Sequence, residues 1–391
     1  MDRRKWEYRK LGEVCVSDLG KTLNSTKDKG ELLPYLCAIN ILWDKIDLST
    51  LKQTRFEQDE LERYTVRKGD LLVCEGGDIG RAAIWDKDDS IQYQNALHRI
   101  RFNGSISPRF CLYYLWNLKL TGVLDGRYGK GITIKHLVKS ALMSIPVPIP
   151  TLSDQQQIVA ELDKQNEVIA LKRKQLAELD SLAQSLFYEM FGNKSLPQYK
   201  LSNITSKMGS GATPDGGNQS YKSEGTSLIR SLNVHNNEFV YKELAHIDQE
   251  QARKLNNVIV EDGDVLLNIT GASVARCCIV PKDLLPARVN QHVMILRPKT
   301  ELVTSIYLCA FFTSKEEQQK LLLLSKSKAA TREALPKSLL EEYKVKLPPL
   351  PLQQSFATKV MKIEVEKQQV KASLKDLETL LASRMQYWFD N

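Results

Sequence analysis

The sequence contains no uninterrupted apolar run long enough to cross a membrane as a helix. No stretch approaches about 18 apolar residues. The opening residues, MDRRKWEYRKLGEV, carry charge but lack the apolar segment of a secretory signal. These absences argue against an integral membrane protein and against a secreted protein. We therefore expect a soluble protein of the cytoplasm.

The cysteines lack the spacing of a metal site or of a disulfide framework. No Cys-x-x-Cys pair occurs, the count is odd, and most cysteines lie in apolar runs such as DLLVC and RCCIV. Such surroundings favour reduced, buried thiols over zinc ligands or disulfides. The prediction covers Cys15, Cys37, Cys74, Cys111, Cys277, Cys278 and Cys309.

The motifs of several enzyme classes are also missing. There is no Gly-x-x-x-x-Gly-Lys-Ser/Thr phosphate loop, no Asn/Asp-Pro-Pro-Tyr/Phe methyltransferase motif and no Gly-x-Ser-x-Gly nucleophile elbow. The Pro-Asp…Glu-x-Lys motif of a nuclease is incomplete, because Glu342-Tyr343-Lys344 has no matching Pro-Asp nearby. The histidines at 98, 136, 235, 246 and 292 have no metal-ligand spacing. The sequence favours binding over catalysis and predicts that this chain itself holds no cofactor or metal.

The net charge of +8 is concentrated in two blocks of the chain. Residues 1–150 carry 24 Lys and Arg against 19 Asp and Glu, and residues 193–347 carry 21 against 16. The segments after these blocks carry 4 against 7 and 6 against 5. This distribution is compatible with a polyanionic partner, although such an excess is also common in proteins that bind no nucleic acid.

The chain is one unit of about 195 residues written twice. YRKLGEV at 8–14 returns as YKLSNI at 199–204, VRKGDLLV at 66–73 as VEDGDVLL at 260–267, and YQNALHRIRF at 93–102 as VNQHVMILRP at 289–298. PVPIPTLSDQQQIVAELD, which begins at 146, returns as VKLPPLPLQQSFATKVM at 345. This is a two-copy duplication, because a solenoid needs three or more short repeats.

Each copy has two parts with different periodicity. Short apolar runs cut by Gly-Asp, Asn-Gly and Gly-Gly pairs predict strands and turns with a few helices. After them, apolar residues recur at alternating steps of three and four, starting from positions 155 and 353, and this predicts a long helix with a coiled-coil seam. Ser153 is a candidate N-cap of the first helix, and the prolines at 146, 148 and 150 are expected to stop the strand before it.

We therefore expect an α+β fold with an internal pseudo-two-fold repeat. A helix of about 38 residues rises roughly 57 Å, and the second helix needs a partner for its seam, so the two helices are expected to pair antiparallel. The alternative is that each helix packs only on its own domain. The predicted segments are a globular domain at 1–150, a long helix at 151–192, a second globular domain at 193–347 and a second long helix at 348–391.

Together these features resemble the specificity subunits of type I restriction-modification enzymes. The resemblance covers the whole chain and rests on the two helix-start segments, on LAQSLFYEMFG at 182–192, on GSGATPDGGNQSYKSEGTSLIRSLNV at 209–234 and on the Gly-Asp pairs at 69 and 263. Copy 2 departs from the pattern, because Leu352-Gln353-Gln354-Ser355 lacks the acidic residue that precedes Gln155-Gln156 in copy 1.

The resemblance implies that the globular domains are target recognition domains, each reading one half of a split sequence in double-stranded DNA. The long helices would set the gap between the half-sites and hold two methyltransferase subunits. S-adenosylmethionine, ATP and Mg would belong to partner subunits, including restriction/translocase subunits. Because the copies differ in their loops, we expect an asymmetric, interrupted target. The candidate subunit contacts are Gln155, Gln156, Gln353 and Gln354.

Residues that contact DNA are expected in loops rich in Arg, Lys, Asn, Gln, Ser and Thr, because these side chains bind base edges and phosphates. For each candidate, a solvated loop residue or a turn former is the competing interpretation, and His98 is expected to be packed or at the surface without a functional role. The candidates in copy 1 are Asn40, Glu75, Asp78, Arg81, Gln94, Asn95, Lys130 and Lys135. Those in copy 2 are Thr213, Arg230, Ser231, Asn233, Thr270, Ser273, Arg276, Asn290, Gln291, His292, Lys328, Thr331 and Arg332.

The leading hypothesis is a non-catalytic DNA-recognition subunit of a larger enzyme. The alternative is a single-chain restriction or methyltransferase enzyme with unrecognised catalytic motifs. A third hypothesis is a coiled-coil scaffold that does not bind DNA. An assay of the lone chain with S-adenosylmethionine and DNA separates the first two, and a salt-dependent DNA shift assay separates the third.

Overall fold

The computed structural model describes residues 6–24, 28–133, 135–192, 194–214, 216–327 and 333–390. The chain divides into two compact units. Unit 1 comprises Met1–Arg173 with Ala372–Asn391, and unit 2 comprises Lys174–Lys371. Each unit therefore contains one block of short elements and a part of each long helix. The domain boundaries given above remain predictions.

Unit 1 alternates short strands with short helices before its long helix begins. In chain order its elements are β1 (Glu7–Lys10), α1 (Leu11–Val14), β2 (Cys15–Leu19), β3 (Glu31–Leu36), β4 (Ile41–Leu42), β5 (Lys45–Ile46), β6 (Lys52–Phe56), α2 (Gln58–Arg63), β7 (Thr65–Val66), β8 (Leu71–Cys74), β9 (Ala82–Ile84), β10 (Ile91–Tyr93), β11 (Leu97–Phe102), α3 (Pro108–Leu120), α4 (Lys139–Met143), β12 (Pro146–Ile149) and α5 (Leu152–Phe187), whose residues from Lys174 onward belong to unit 2.

Unit 2 repeats this order with one additional helix, α9 (Lys315–Ser327). Its elements are β13 (Gln198–Lys200), α6 (Leu201–Ile204), β14 (Thr205–Ser210), β15 (Thr226–Ile229), β16 (Val234–His235), β17 (Glu238–Phe239), β18 (Ala245–Ile247), α7 (Gln249–Lys254), β19 (Ile259–Val260), β20 (Val265–Asn268), β21 (Cys277–Ile279), β22 (Ala287–Val289), β23 (Val293–Pro298), α8 (Ser305–Thr313), α9 (Lys315–Ser327), α10 (Lys337–Glu341), β24 (Lys344–Lys346) and α11 (Leu350–Phe389), which ends in unit 1.

Two four-stranded sheets form the centre of each unit. In unit 1 an antiparallel sheet has the order β2-β11-β8-β9 and a mixed sheet the order β6-β3-β10-β7, with β3 and β10 parallel. In unit 2 the corresponding orders are β14-β23-β20-β21 and β18-β15-β22-β19, with β15 and β22 parallel. The duplication seen in the sequence is therefore a duplication of topology.

In each antiparallel sheet one of the two central strands, β8 in unit 1 and β20 in unit 2, is buried on both faces. Along β8, Leu71 and Val73 point to the core shared with α3 and α5, whereas Leu72 and Cys74 point to a second core. Because both faces are covered, the strand reads as a continuous apolar run.

The Gly-Asp pairs before these strands have a structural role. Asp70 is 3% exposed and accepts two hydrogen bonds from the Arg101 guanidinium, at 2.7 and 2.8 Å. Asp264 is 0% exposed and accepts two from Arg297, at 2.8 and 2.9 Å. The hydrogen bonds that Arg101 donates to the Asp70 carboxylate raise the pKa of Arg101. These paired charges anchor β8 and β20 in the same way, because a buried carboxylate requires such partners.

The two long helices pair antiparallel in unit 1. Arg384 of α11 lies 2.5 Å from Glu161 of α5, and Glu378 lies 2.6 Å from Arg173, so the residue numbers rise along one helix and fall along the other. Buried seam residues from both helices, among them Ile158 of α5, share one core with α3. The prediction of paired helices is confirmed in this unit.

The pairing is also antiparallel in unit 2. Asp180 of α5 lies 2.8 Å from Lys367 of α11, and the rings of Phe187 and Phe356 have centroids 5.8 Å apart. Desolvation acts to lower the pKa of Lys367, but its hydrogen bonds to the Asp180 and Glu364 carboxylates outweigh this and raise it. The seam is therefore apolar with a paired charge beside it.

Two local predictions at the start of α5 are wrong. The N–H of Asp154 donates to the Thr151 hydroxyl at 3.1 Å, so Thr151 and not Ser153 caps the helix. Pro146 and Pro148 lie inside β12, the strand before α5, and of the three prolines Pro150 alone follows the end of that strand. Among the residues that the structure describes, β12 pairs with β1 alone, and proline is tolerated there because the other edge of the strand needs no N–H donor.

All seven cysteines are free and buried, as predicted. Burial raises the pKa of the Cys15 and Cys74 thiols to about 11, so neither is a reactive thiolate at neutral pH. His98 is packed as well: it is fully buried and its Nε2 lies 2.7 Å from the carbonyl of Leu137. Within the described ranges, no helix combines the length and the apolar character needed to cross a membrane.

Candidate nucleic-acid interface

Backbone hydrogen bonds bring three loops of unit 1 together. The N–H of Glu75 donates to the carbonyl of Ala96 at 2.9 Å, and the N–H of Leu137 donates to the carbonyl of Glu75 at 2.7 Å. The loop after β8 is therefore held between the other two. The loops are residues 75–81 after β8, residues 94–96 between β10 and β11, and residues 129–136 before α4, of which residue 134 lies outside the described ranges.

The same bonds hold three loops of unit 2 together. The N–H of Ile269 donates to the carbonyl of His292 at 2.9 Å, and the N–H of Leu335 donates to the carbonyl of Ile269 at 2.8 Å. Both units thus present a loop set with one backbone frame. The loops of unit 2 are residues 269–276 after β20, residues 290–292 between β22 and β23, and residues 333–335 before α10.

These bonds define which loop residues of the two copies correspond. Glu75 occupies the position of Ile269, so Thr270 corresponds to Gly76 and not to Glu75. The loop after β20 has one residue more than the loop after β8, so the offset in residue number between the copies rises from 194 before the loop to 195 after it. The pairing of Gln94 and Asn95 with Asn290 and Gln291 stands.

The third loop shows a similar shift. The N–H of His136 donates to the carbonyl of Lys130 at 2.7 Å, and in unit 2 the N–H of Ala334 donates to the carbonyl of Ser325 at 3.3 Å. Ser325 is thus the counterpart of Lys130 in this frame. The candidates Lys328, Thr331 and Arg332 lie outside the described residues.

Four polar side chains form a chain of hydrogen bonds in unit 2. The Thr270 hydroxyl lies 2.5 Å from Nδ1 of His292, whose Nε2 lies 3.2 Å from Nε2 of Gln291. The Thr213 hydroxyl donates to Oε1 of Gln291 at 2.6 Å. Gln291 is exposed while Thr270 and His292 are half-buried. The network therefore fixes the orientation of an amide that solvent can reach.

The close approach of the Thr213 segment depends on a glycine. A Cβ atom on Gly211 would overlap the carbonyl oxygen of Val289, which precedes Asn290. The N–H of Gly211 also donates to the carbonyl of Asn290 at 3.1 Å. In unit 1, a Cβ on Gly20 would overlap the carbonyl of Tyr93 in the same manner. Glycine is needed at both positions because the backbones touch.

Two candidates in the first loop of unit 1 already have side-chain partners within the chain. Asp78 lies 2.7 Å from the Lys119 ammonium, and Nη2 of Arg81 donates to the carbonyl of Ala38 at 2.7 Å. Burial acts to lower the pKa of Lys119, but its bonds to Asp78 and Asp125 outweigh this and raise it. Asp78 and Arg81 therefore stabilise the loop.

The remaining candidates of unit 1 vary in accessibility. Burial raises the pKa of the half-buried Glu75 carboxyl. Gln94 is half-buried, and Asn95 donates to the Thr22 hydroxyl at 3.2 Å. Lys135 donates to the carbonyl of Asp125 at 2.6 Å. Lys130 is exposed and has no side-chain partner among the residues that the structure describes.

The unit 2 candidates that follow β20 are less constrained. Ser273 and Arg276 are half-buried, and the N–H of Arg276 donates to the carbonyl of Ser273 at 3.2 Å. In contrast to Arg81, the Arg276 guanidinium has no hydrogen-bond partner in the described part of the chain.

Asn40 and Asn233 have an architectural role, and we leave them out of the proposed DNA contacts. Each is 0% exposed, accepts a hydrogen bond from the backbone N–H three residues earlier, and donates from Nδ2 to the carbonyl seven residues later, Asp47 in one case and Val240 in the other. A side chain used in this way cannot reach a base. Asn290, 4% exposed, likewise accepts from the N–H of His292.

Arg230 and Ser231 also serve the turn around Asn233. Nη2 of Arg230 donates to the carbonyl of Glu243, and the guanidinium lies 5.2 Å from the centroid of the Tyr221 ring. The carbonyl of Ser231 accepts from Nδ2 of Asn268 at 2.9 Å. Both residues remain half-buried.

The glutamine pairs at the helix starts are split between interior and surface. Gln155 is 0% exposed, accepts from the N–H of Ser107 at 2.7 Å and donates to the carbonyls of Ser105 and Pro150, each at 3.0 Å. The prediction that Gln155 contacts a partner subunit is wrong, because its amide is buried and fully bonded within unit 1. Its neighbour Gln156 is exposed.

Unit 2 repeats the arrangement. Gln353 is 0% exposed, accepts from the N–H of Thr304 at 2.9 Å and donates to the carbonyls of Leu302 and Pro348 at 3.0 and 2.9 Å. Gln353 is therefore also excluded as a subunit contact. Gln354 is exposed and stays a candidate.

A family described as the type I restriction modification DNA specificity domain matches this chain twice, over residues 3–181 and residues 198–376. The chain belongs to this family of type I restriction-modification specificity subunits. Each match includes one complete loop set. No group of three or more His, Cys, Asp and Glu side chains that could hold a metal occurs in the part of this specificity chain that the structure describes.

Relatives and solved structures resemble the chain over nearly its whole length. The putative type I restriction enzyme MjaX specificity subunit of Methanocaldococcus jannaschii is 23% identical, over 96% of this chain and 92% of its own. The S subunit of the type I restriction-modification system from M. genitalium has a TM-score of 0.54 at 14% identity, covering 99% and 96%. A chain from a structure of complex assembly and conformational transition of the type I R-M system has a TM-score of 0.58 at 17% identity, covering 98% and 97%. These two structural likenesses show the fold.

One residue of the specificity chain that the sequence analysis did not single out helps to build the interface. His136 forms β-bridges with both Gly76 and Lys130 and so joins two of the loops. It lies at the end of RYGKGITIKH, and its place next to a glycine of another loop follows only from the folded backbone.

Proposed function

We propose that each loop set binds one half of an asymmetric, interrupted sequence in double-stranded DNA. The observation that supports this most directly is that the two loop sets share one backbone frame but carry different side chains. Gly76 and Ala96 of unit 1 stand where unit 2 has Thr270 and His292. Equal frames with unequal polar groups are expected to read different bases.

In unit 2, Gln291 is the proposed base reader. A glutamine amide can form two hydrogen bonds with N6 and N7 of adenine, and each such pair discriminates by about 1–3 kcal/mol against the wrong base. Thr213 and His292 hold this amide at 2.6 and 3.2 Å, which lowers the entropy lost on binding. Thr270, Ser273 and Arg276 complete the proposed contact set.

In unit 1, Glu75, Gln94 and Asn95 are the proposed base readers. A carboxylate accepts from N4 of cytosine, and amides suit adenine. Lys130 is exposed, and we assign it to the DNA backbone because a flexible ammonium suits a phosphate. Lys135, whose ammonium is bonded to a carbonyl, is proposed to support that loop.

The long helices are proposed to set the gap between the half-sites and to hold two methyltransferase subunits. Equivalent positions of α5 and α11 expose a leucine, Leu182 at 51% in unit 2 and Leu380 at 48% in unit 1. With the exposed Gln156 and Gln354, each unit thus offers an apolar and a polar group to a partner helix.

The chain is proposed to be non-catalytic on its own. S-adenosylmethionine would be bound by the methyltransferase subunits, and ATP and Mg by restriction/translocase subunits. The competing proposal of a single-chain enzyme predicts methyl transfer by the lone chain, so incubating it with labelled S-adenosylmethionine and DNA separates the two.

The test is a glutamine exchange read out by methylation-sensitive sequencing. Cells that carry the complete system with Gln291→Ala should methylate a motif in which one half is relaxed at one position and the other half is unchanged, because the two loop sets act separately. The matched control is Gln249→Ala, an exposed glutamine of α7 outside the loop set. A change in both halves, or an unchanged motif, would contradict the assignment.

A further inference from the structure

A concave basic surface adjoins the loop set of unit 1. It has a volume of about 590 Å³. Three of the residues that line it are cations, three carry hydroxyl groups, and none carries a carboxylate. The lining residues are Lys10, Arg127, Tyr128, Lys130, Ser140, Ala141, Ser144 and Pro146.

The three cations at this surface differ from their basic neighbours. Lys10, Arg127 and Lys130 are exposed, and none has a carboxylate within ion-pair distance in the described part of the chain. By contrast, Lys119 is paired with Asp78 and Asp125, and Lys139 lies 3.6 Å from Asp18. The positive charge of this surface is therefore not neutralised.

Unit 2 shows what neutralisation at this place looks like. Lys10 is opposite Pro146 in the β1–β12 pair, and Lys200 is opposite Lys344 in the β13–β24 pair. Two residues before these partners stand Ser144 in unit 1 and Glu342 in unit 2. Glu342 lies 2.7 Å from the Lys200 ammonium. Unit 1 thus has a serine where unit 2 has the carboxylate that pairs with its lysine.

We propose that Lys10, Arg127 and Lys130 bind phosphates of the DNA backbone. Lys, Arg and hydroxyl side chains are the usual donors to phosphate oxygens. Here Ser140 supplies a hydroxyl, whereas the Ser144 hydroxyl already donates to the carbonyl of Ala141 at 2.7 Å. The site is continuous with the loop set, because the backbone of Lys130 is bonded to His136, which bridges to Gly76.

The inference rests on the proposed function and deepens it. A backbone phosphate contact fixes the register of the duplex against the loop set without reading a base. Glu75, Gln94 and Asn95 would then meet bases at a defined position, although none of them carries a positive charge.

The experiment measures how binding of a fluorescein-labelled duplex of mixed sequence depends on salt, using the full chain. Loss of one phosphate contact reduces the slope of log K against log [salt] by about 0.9. Lys10→Ala and Arg127→Ala should each show this change. When the salt is raised from about 50 to 200 mM, the factor by which the affinity falls should be roughly 3-fold smaller in each variant than in the parent chain. Lys10→Arg should keep the parent slope.

Two further variants use the difference between the units. Ser144→Glu places the unit 2 carboxylate next to Lys10 and should reduce the slope as Lys10→Ala does, while removing no side chain that binds DNA. Lys200→Ala, which removes the already neutralised lysine of unit 2, should leave the slope unchanged.

The outcomes separate this inference from the function on which it rests. A parent chain without salt-dependent DNA binding would contradict the proposed function itself. A parent chain that binds DNA, with parent slopes in Lys10→Ala, Arg127→Ala and Ser144→Glu, would overturn only the phosphate site. Ser144 is exposed, so the Ser144→Glu result remains decisive even where a truncation to alanine disturbs folding.

Discussion

Replacing Gln155 by alanine is expected to destabilise unit 1, whereas replacing Gln156 is not. The Gln155 amide makes three hydrogen bonds in the interior, to the N–H of Ser107 and to the carbonyls of Ser105 and Pro150. A buried group left without its partner costs about 1–3 kcal/mol. With about 1–3 kcal/mol for the Ser107 N–H and about 1 kcal/mol for each of the two carbonyls, the free energy of unfolding should fall by about 3–5 kcal/mol. An exposed side chain such as Gln156 changes stability by about 0.5 kcal/mol or less.

The chain offers a signal that reports on unit 1 alone. All five tryptophans, at positions 6, 43, 85, 116 and 388, belong to unit 1. With an m value of about 2 kcal/mol/M, Gln155→Ala should lower the urea midpoint of tryptophan fluorescence by roughly 1.5–2.5 M. Gln353→Ala should lower the urea midpoint of a circular dichroism transition. The urea concentration at which the tryptophan fluorescence begins to change should be the same as in the parent chain.

A methionine variant separates the hydrogen bonds from the space that the side chain fills. Gln155→Met keeps the volume but cannot satisfy the Ser107 N–H, so it should stay well below the parent midpoint. Equal midpoints for the variants at 155 and 156 would refute this reasoning. So would Gln155→Ala with normal stability but reduced assembly with methyltransferase subunits, because a direct subunit contact would then be the better explanation.

Two other outcomes are expected. Four residues inserted after Ala170 of α5 add about 6 Å of helix and should lengthen the unread gap of the methylated motif by about one or two base pairs, with both half-sites unchanged. Two inserted residues should instead rotate the seam away from its partner helix and reduce assembly. An unchanged gap with the four-residue insertion would show that the helices do not set the spacing. Burial lowers the pKa of His98 below its ordinary value of 6.5, so the unfolded chain binds this proton more readily and unit 1 should lose stability as the pH falls through 6.5 towards the lowered value. His98→Met, which introduces the residue found at the equivalent position 294, should reduce that pH dependence of the urea midpoint, and a parent-like dependence would contradict the assignment.

Periodicity predicted the parts of the fold that depend on burial. Ile158, Leu162 and Phe356 lie at seam positions and are buried as expected, because a three-four apolar repeat can be satisfied in few other ways. The seam series also begins at 155 and 353, and this was the available signal that Gln155 and Gln353 point inward. The polarity of a glutamine pair by itself favours a surface contact, whereas the place of its first member in the seam series indicates the interior.

The details of the interface depend on contacts that leave no local pattern. The extra residue in the loop after β20 can be located only from the bonds of Ile269, since an alignment of the two copies without a gap pairs Glu75 with Thr270. Similarly, Asn40 has the composition of a base reader, but its side chain is 0% exposed and its amide is hydrogen-bonded to the backbone of the tight turn around it. Residue type indicates what a side chain can bind, whereas the backbone around it decides whether it is free to do so.

The duplication supplies an internal comparison that helps to distinguish these cases. Where both units place the same buried polar residue in the same bonds, as with Asn40 and Asn233, the frame itself requires that residue. Where the frame is equal and the residue differs, as with Ala96 and His292 or Ser144 and Glu342, folding does not dictate the choice. Those positions are where binding can impose its own demands, and they include the residues assigned here to base contact and to the phosphate site. We therefore expect that exchanging residues that differ between the units alters DNA binding at little cost in stability. Replacing a buried residue that both units share should instead lower the free energy of unfolding.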